Sequence, residues 1–168
     1  MVSWRGAVAG GLVTTTAVVV AALPAHAAST IVGTDGDDNL SGTLGADDIE
    51  GRAGDDFLTG YRGADELSGQ RGHDVLDGSR GPDVLWGGSS WDELYGGDGN
   101  DRIHTGTGAD RVLGGRGADT IWVHRAGTGG PANGDTVYCG RGKDTVYIVG
   151  EGPRVFIPDH DCERVVRD

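Results

Sequence analysis

The chain has 168 residues, 33 of them glycine, and a formal charge of −12 from 26 acidic against 14 basic residues. Glycine loses the most backbone freedom on folding, and this excess of acid argues against nucleic acid or an anionic membrane as partner. With 6% aromatics and five prolines a large apolar core is not expected, which leaves an acidic disordered chain or a repeat with glycine at required positions.

Residues 1–27 contain one basic residue, Arg5, and no acidic one. An apolar stretch from Gly6 to Leu23 follows, then Pro24 and the small-residue exit Ala25-His26-Ala27. Charged start, apolar middle and A-x-A exit describe a secretory signal peptide cleaved after Ala27. The mature chain would be secreted and extracellular, and no later apolar run is long enough for membrane insertion.

Residues 28–32 form a short lead-in. From Gly33 the chain divides every nine residues, beginning GTDGDDNLS, GTLGADDIE, GRAGDDFLT, GYRGADELS. Ten such nonads run to Trp122, an insertion of residues 123–129 breaks the phase, and two more follow from Gly130 and Cys139. The sixth position is always aspartate: Asp38, Asp47, Asp56, Asp65, Asp74, Asp83, Asp92, Asp101, Asp110, Asp119, Asp135 and Asp144. The eighth is always aliphatic, from Leu40 and Ile49 through to Val137 and Val146. The fourth is glycine in ten of twelve, with Ser90 and Asn133 as exceptions, while Thr105 and Cys139 replace the first glycine. A pattern this regular favours the repeat over disorder.

GGDGNDRIH (Gly96 to His104) and GGRGADTIW (Gly114 to Trp122) fit the nonapeptide GGxGxDxUx at every defined position. The chain thus resembles the RTX, or haemolysin-type, family of calcium-binding repeats. It is similar to the short secreted RTX-like proteins of high-GC Gram-positive bacteria. The resemblance implies an all-β fold, a right-handed parallel β-roll over residues 33–147 with two nonads per coil. The first six residues of each nonad form a turn and the last three a strand, with Ca2+ between turns stacked on one edge.

Physical chemistry points the same way. Calcium takes six to eight hard oxygen ligands, and glycine turns let carbonyl oxygens converge beside a carboxylate. The aliphatic residue two positions after the aspartate faces inward, because strand side chains alternate. Stacking at eighteen residues puts Asp38, Asp56, Asp74, Asp92, Asp110 and Asp135 on one edge and the other six on the opposite edge. Five gaps per edge allow at most ten ions. Folding is therefore expected to depend on calcium.

Residues 148–168 read as a C-terminal cap. Cys139 and Cys162, the only two cysteines, are expected to pair in an oxidising compartment. At position nine, Trp86, His104, Trp122 and Tyr147 fall on one sheet face. They form a candidate partner surface for a cell-wall glycan or a surface protein, or else plain cross-strand packing. No enzyme is expected, for the sequence has neither HExxH nor GxSxG.

Overall fold

The computed structural model describes residues 18–19, 26–124, 134–151, 154–158 and 162–168. These form fifteen strands: β1 (Val18–Val19), β2 (Thr30–Val32), β3 (Asn39–Ser41), β4 (Asp48–Ala53), β5 (Phe57–Thr59), β6 (Glu66–Arg71), β7 (Val75–Arg80) and β8 (Val84–Ser89). The series continues with β9 (Glu93–Asp98), β10 (Arg102–Thr107), β11 (Arg111–Arg116), β12 (Thr120–His124), β13 (Thr136–Arg141), β14 (Thr145–Val149) and β15 (Arg164–Arg167). No helix occurs among the described residues.

Every pairing between named strands is parallel, and alternate strands build two sheets. One sheet runs β1-β3-β5-β7-β9-β11-β13 and the other β15-β14-β12-β10-β8-β6-β4-β2. The chain is a parallel β-solenoid of about seven turns, crossing from sheet to sheet once per nonad. Register follows the repeat: Leu85 pairs with Ile103 and Leu94 with Val112, each eighteen residues on. Across the insertion the step becomes Val112 to Val137 and Ile121 to Val146 on the two sheets. The extra residues leave the stack in phase.

The core is one row of aliphatics from each sheet. All twelve eighth-position residues, from Leu40 to Val146, are fully buried. Burying a side chain of this size stabilises by roughly 1.5–3 kcal/mol, so the row is the main apolar term in a fold with little else to bury. Ile31, Val123 and Ile148 join it. β2 therefore forms a rung inside the segment read as a lead-in, because Ile31 stands nine residues before Leu40 in the same inward phase. Likewise Val123 and His124, assigned to the insertion by phase, continue β12 and pair with Ile148 and Val149.

The tail extends the stack. β15 pairs with β14, and Phe156 bridges to Thr136. Cys139 and Cys162 form a disulfide with Cα atoms 5.3 Å apart, fastening this last rung to the core side of β13, where Cys139 is fully buried. Within the N-terminal stretch read as a leader, Val18–Val19 pairs with β3.

Turn geometry differs along the chain. The second turn position has positive φ in successive coils, and there Arg52, Tyr61, Gln70 and Ser79 adopt φ between 72° and 87°. From Gly88 onward that position is glycine in the described turns. Ser90 at the fourth position has φ 93°, in a region that costs an L-residue about 1–2 kcal/mol. Ser90→Gly should therefore stabilise the calcium-loaded protein by about 1 kcal/mol, read as a higher urea midpoint. An unchanged or lower midpoint would show that this turn carries no such strain.

Candidate metal centre

All twelve sixth-position aspartates are buried, none more than 3% exposed. Each edge is a carboxylate ladder. The amide of Asp38 donates to Oδ1 of Asp56, Asp56 to Asp74, Asp74 to Asp92, Asp92 to Asp110 and Asp110 to Asp135, at 2.8–2.9 Å. On the opposite edge Asp47, Asp65, Asp83, Asp101, Asp119 and Asp144 are linked in the same way. We call these edges I and II. The expected grouping of the twelve aspartates is the observed one.

These bonds use one carboxylate oxygen. In Asp56, Asp65, Asp74, Asp83, Asp92, Asp101 and Asp119 the second oxygen, Oδ2, is buried without a hydrogen-bond partner. Leaving such a group unsatisfied costs about 1–3 kcal/mol, and more when it is charged. It faces the first glycine of its own nonad. A methyl-sized atom on Gly78 would stand 2.6 Å from Asp83 Oδ2 and 2.8 Å from the Gly96 carbonyl oxygen. On Gly87 it would meet Asp92 Oδ2 at 2.7 Å and the Thr105 carbonyl at 2.5 Å. Glycine is needed there to leave room for this cradle of oxygens, and nine nonads have it, those beginning at Gly33, Gly42, Gly51, Gly60, Gly69, Gly78, Gly87, Gly96 and Gly114. In the last seven the facing Oδ2 is also without a partner.

Other nonads differ in identifiable ways. The amides of Thr34 and Thr43 donate to Oδ2 of Asp38 and Asp47 at 2.5 and 2.6 Å. With the Ser29 amide on its Oδ1, Asp47 is satisfied at both oxygens, whereas Asp38 keeps a buried Oδ1 without a hydrogen-bond partner. Thr105 and Cys139 put side chains where the cradle would be. The Thr105 hydroxyl donates to the Gly106 carbonyl at 3.4 Å and accepts from the His124 amide at 3.2 Å, and Asp110 Oδ2 is buried without a hydrogen-bond partner.

Burial sets the protonation of these groups. It raises Asp65, Asp74 and Asp101 to about 6, Asp92 and Asp119 to about 7, and Asp83 and Asp110 to about 8. Asp56 is raised as well. Desolvation is the largest cause in each. The ladder amide pulls back downward, and the neighbouring carboxylate of the row mostly adds to the rise. A row of buried carboxylates that resist ionisation is relieved by protons or by cations.

The ends of the ladders escaped the sequence reading. Ser29 donates its amide to Asp47 Oδ1 at 2.8 Å and stands where an aspartate would be. At the far end Glu163 Oε2 accepts the Asp144 amide at 2.6 Å. Extending the phase nine residues back from Asp38 finds Ser29. Glu163 lies nineteen residues after Asp144, one out of phase, so spacing alone hides it. A second, outer ladder also runs along edge I, where Asp37 Oδ1 accepts from Asp55 and Asp55 Oδ1 from His73, both at 2.9 Å.

The four candidate partner-surface residues do come together. Trp86 stacks on His104 at 3.8 Å and 7°, His104 on Trp122 at 4.4 Å and 2°, and Trp122 on Tyr147 at 5.7 Å and 12°. The rings cover one another's faces. Burial between them, with His124 nearby, lowers His104 to about 4, so it is neutral at pH 7. Asp159 and Asp161, which flank His160 in the sequence and could bind a metal, lie outside the described residues.

The model of the RTX calcium-binding nonapeptide repeat, a unit of four copies, matches residues 32–67, 68–103 and 86–121. These matches together span more than half of the chain. With its stacked aspartate turns this is a calcium-binding β-roll protein, and the chain belongs to the RTX calcium-binding nonapeptide repeat family. A search of curated proteins found no match. The donor set suits calcium: hard oxygens only, half of them charged, with glycine clearing the space. Asp56, Asp65, Asp74, Asp83, Asp92, Asp101 and Asp119 would hold the ions, together with first-position carbonyls.

The sign of the pH dependence follows. A carboxylate raised in the fold stabilises it below the unfolded value near 3.9 and loses that contribution as pH rises through about 6–8. Calcium-free protein should therefore gain β-structure on acidification from pH 8.5 to 5, while calcium binding weakens over the same range. Circular dichroism during calcium titrations at both pH values reads both. Loss of order in the calcium-free acid sample would contradict the burial of these rows.

Proposed function

We propose that this is a secreted, non-catalytic protein whose fold is assembled by extracellular calcium. The observation that carries this reading is the row of buried aspartates whose second oxygens lack partners. Such a row is a liability in the metal-free chain and a ligand set in the loaded one. The seven turns that pair a first-position glycine with an unpartnered Oδ2 support as many as seven ions, below the ten gaps that counting turns allows. If each binds with a constant of ~0.1 mM, calcium at 1 mM contributes about 1.4 kcal/mol per site. Seven sites together then give ~10 kcal/mol, comparable with the whole stability of an ordinary domain.

Secretion is supported by the leader-like residues 1–27 and by the oxidised cysteine pair, since disulfides persist outside the cytoplasm. No helix among the described residues is long and apolar enough to cross a membrane. The aromatic row serves as cross-strand packing. Sugars stack on ring faces, and the two faces of His104 and Trp122 are already taken by their neighbours.

Chelated protein should show a weak β-signal that millimolar calcium restores cooperatively. Unchanged circular dichroism would overturn the proposal. Asp83→Asn should raise the calcium midpoint severalfold, because it removes charge from a complete cradle. Asp47→Asn should leave the midpoint nearly unchanged, because the Ser29 and Thr43 amides already satisfy both oxygens of that carboxylate. Equal effects of the two would contradict the distinction between closed and open turns.

A further inference from the structure

The two edges differ on their outer surface. Along edge II the exposed third and fifth turn positions carry Arg62, Arg80, Asp98, Arg116, Arg141 and Lys143. The remaining positions in those five turns are Ala64, Pro82, Asn100 and Ala118. The matching positions of edge I include Asp35, Asp37 and Asp55 against Arg71 alone among arginines and lysines. A chain of formal charge −12 thus concentrates five cations and one carboxylate on a single ridge.

The register makes the ridge linear. Arg62 lies against Arg80, Arg80 against Asp98, Asp98 against Arg116, and Arg116 against Arg141. Successive charges are therefore about one strand spacing apart, ~4.8 Å. Asp98 is held by Arg116 at 3.9 Å, which leaves the other cations of the ridge facing solvent. Beside them the side-chain-free Gly97, Gly115 and Gly140 floor an open trough of about 580 Å³, bordered by Arg80, Arg116 and Arg141 and, on the acidic side, by Asp77 and Asp98.

We propose that edge II is a docking ridge for a flexible, linear phosphate polymer. Guanidinium forks match phosphate oxygens bidentately, and a line of charges over a trough suits a thread better than a plane. A flat bilayer would touch the ridge without entering the trough, and the exposed apolar side chains of this edge, Leu44 and Tyr61, stand at its N-terminal end outside the trough. Behind the ridge lie Asp65, Asp83, Asp101, Asp119 and Asp144, whose charge opposes the arginines until cations neutralise it. Docking is therefore calcium-dependent, and this dependence rests on the calcium reading given above.

The test uses the full chain in millimolar calcium with inorganic polyphosphate as probe, titrated at several salt concentrations. The four cations not paired with Asp98 give a slope of log K against log salt of about −2.8, at ~0.7 per phosphate on a single strand. In the double variant Arg80→Gln/Arg116→Gln the slope falls to about −2.1, while circular dichroism in calcium stays that of the parent. Chelation should abolish binding. No binding by the folded, calcium-loaded protein, an unchanged slope in the variant, or a preference for anionic phospholipid vesicles would each overturn the proposal. Calorimetric calcium titration of the same sample separates the two readings. Calcium uptake without polyphosphate binding overturns the ridge alone. Polyphosphate binding without calcium uptake keeps the ridge and overturns its calcium dependence.

Discussion

Carboxylates stacked along two edges, one above another at strand spacing and shut away from water, set the terms for the rest of the molecule. Neighbouring ionised aspartates ~5 Å apart repel by roughly 3 kcal/mol at an effective dielectric of 20. The ladder amides answer only half of each group, since they bind Oδ1 and leave Oδ2 facing the cradle. First-position glycines have no side chain because that oxygen and the next coil's carbonyl occupy the space. Each nonad thus joins one inward aliphatic, which holds the coil, to one inward carboxylate, which opposes it unless a cation is present. In the calcium reading, seven divalent ions would bring the formal charge from −12 to about +2.

The solenoid treats its two ends differently. Near the N-terminus Thr34 and Thr43 close their own turns, and the next coils force Arg52, Tyr61, Gln70 and Ser79 into positive φ. Toward the C-terminus glycine takes over that position, the aromatic rings stack from rung to rung, and the Cys139–Cys162 bridge fastens the last strand. Glu163 then ends the edge II ladder as one more carboxylate. Metal-independent stability is therefore concentrated in the C-terminal half.

Much of this could be read from spacing, because a solenoid converts sequence period directly into position in space. The nonad placed Leu40 through Val146 in the core and sorted Asp38 to Asp144 onto their edges. It also carried the register across an insertion without knowing its shape. What spacing cannot show is direction and orientation. That Asp47 is closed by Thr43 while Asp83 is open depends on which way one amide points. Trp86, His104, Trp122 and Tyr147 could be aligned from the sequence, but only the ring planes reveal that both faces of His104 and Trp122 are covered by their neighbours. Glu163 escaped because the tail is one residue out of phase, and Ser29 because serine does not look like a member of an aspartate row.

Counting bound ions tests most directly whether the open cradles are what calcium occupies. Native mass spectrometry of the disulfide-intact protein, taken from millimolar calcium into a volatile buffer, should show a cluster of states approaching seven calcium adducts. Asp83→Asn should lose from that cluster, and Asp47→Asn should not. A protein that keeps its compact charge-state distribution with no calcium bound, or with one or two ions only, would contradict the assignment.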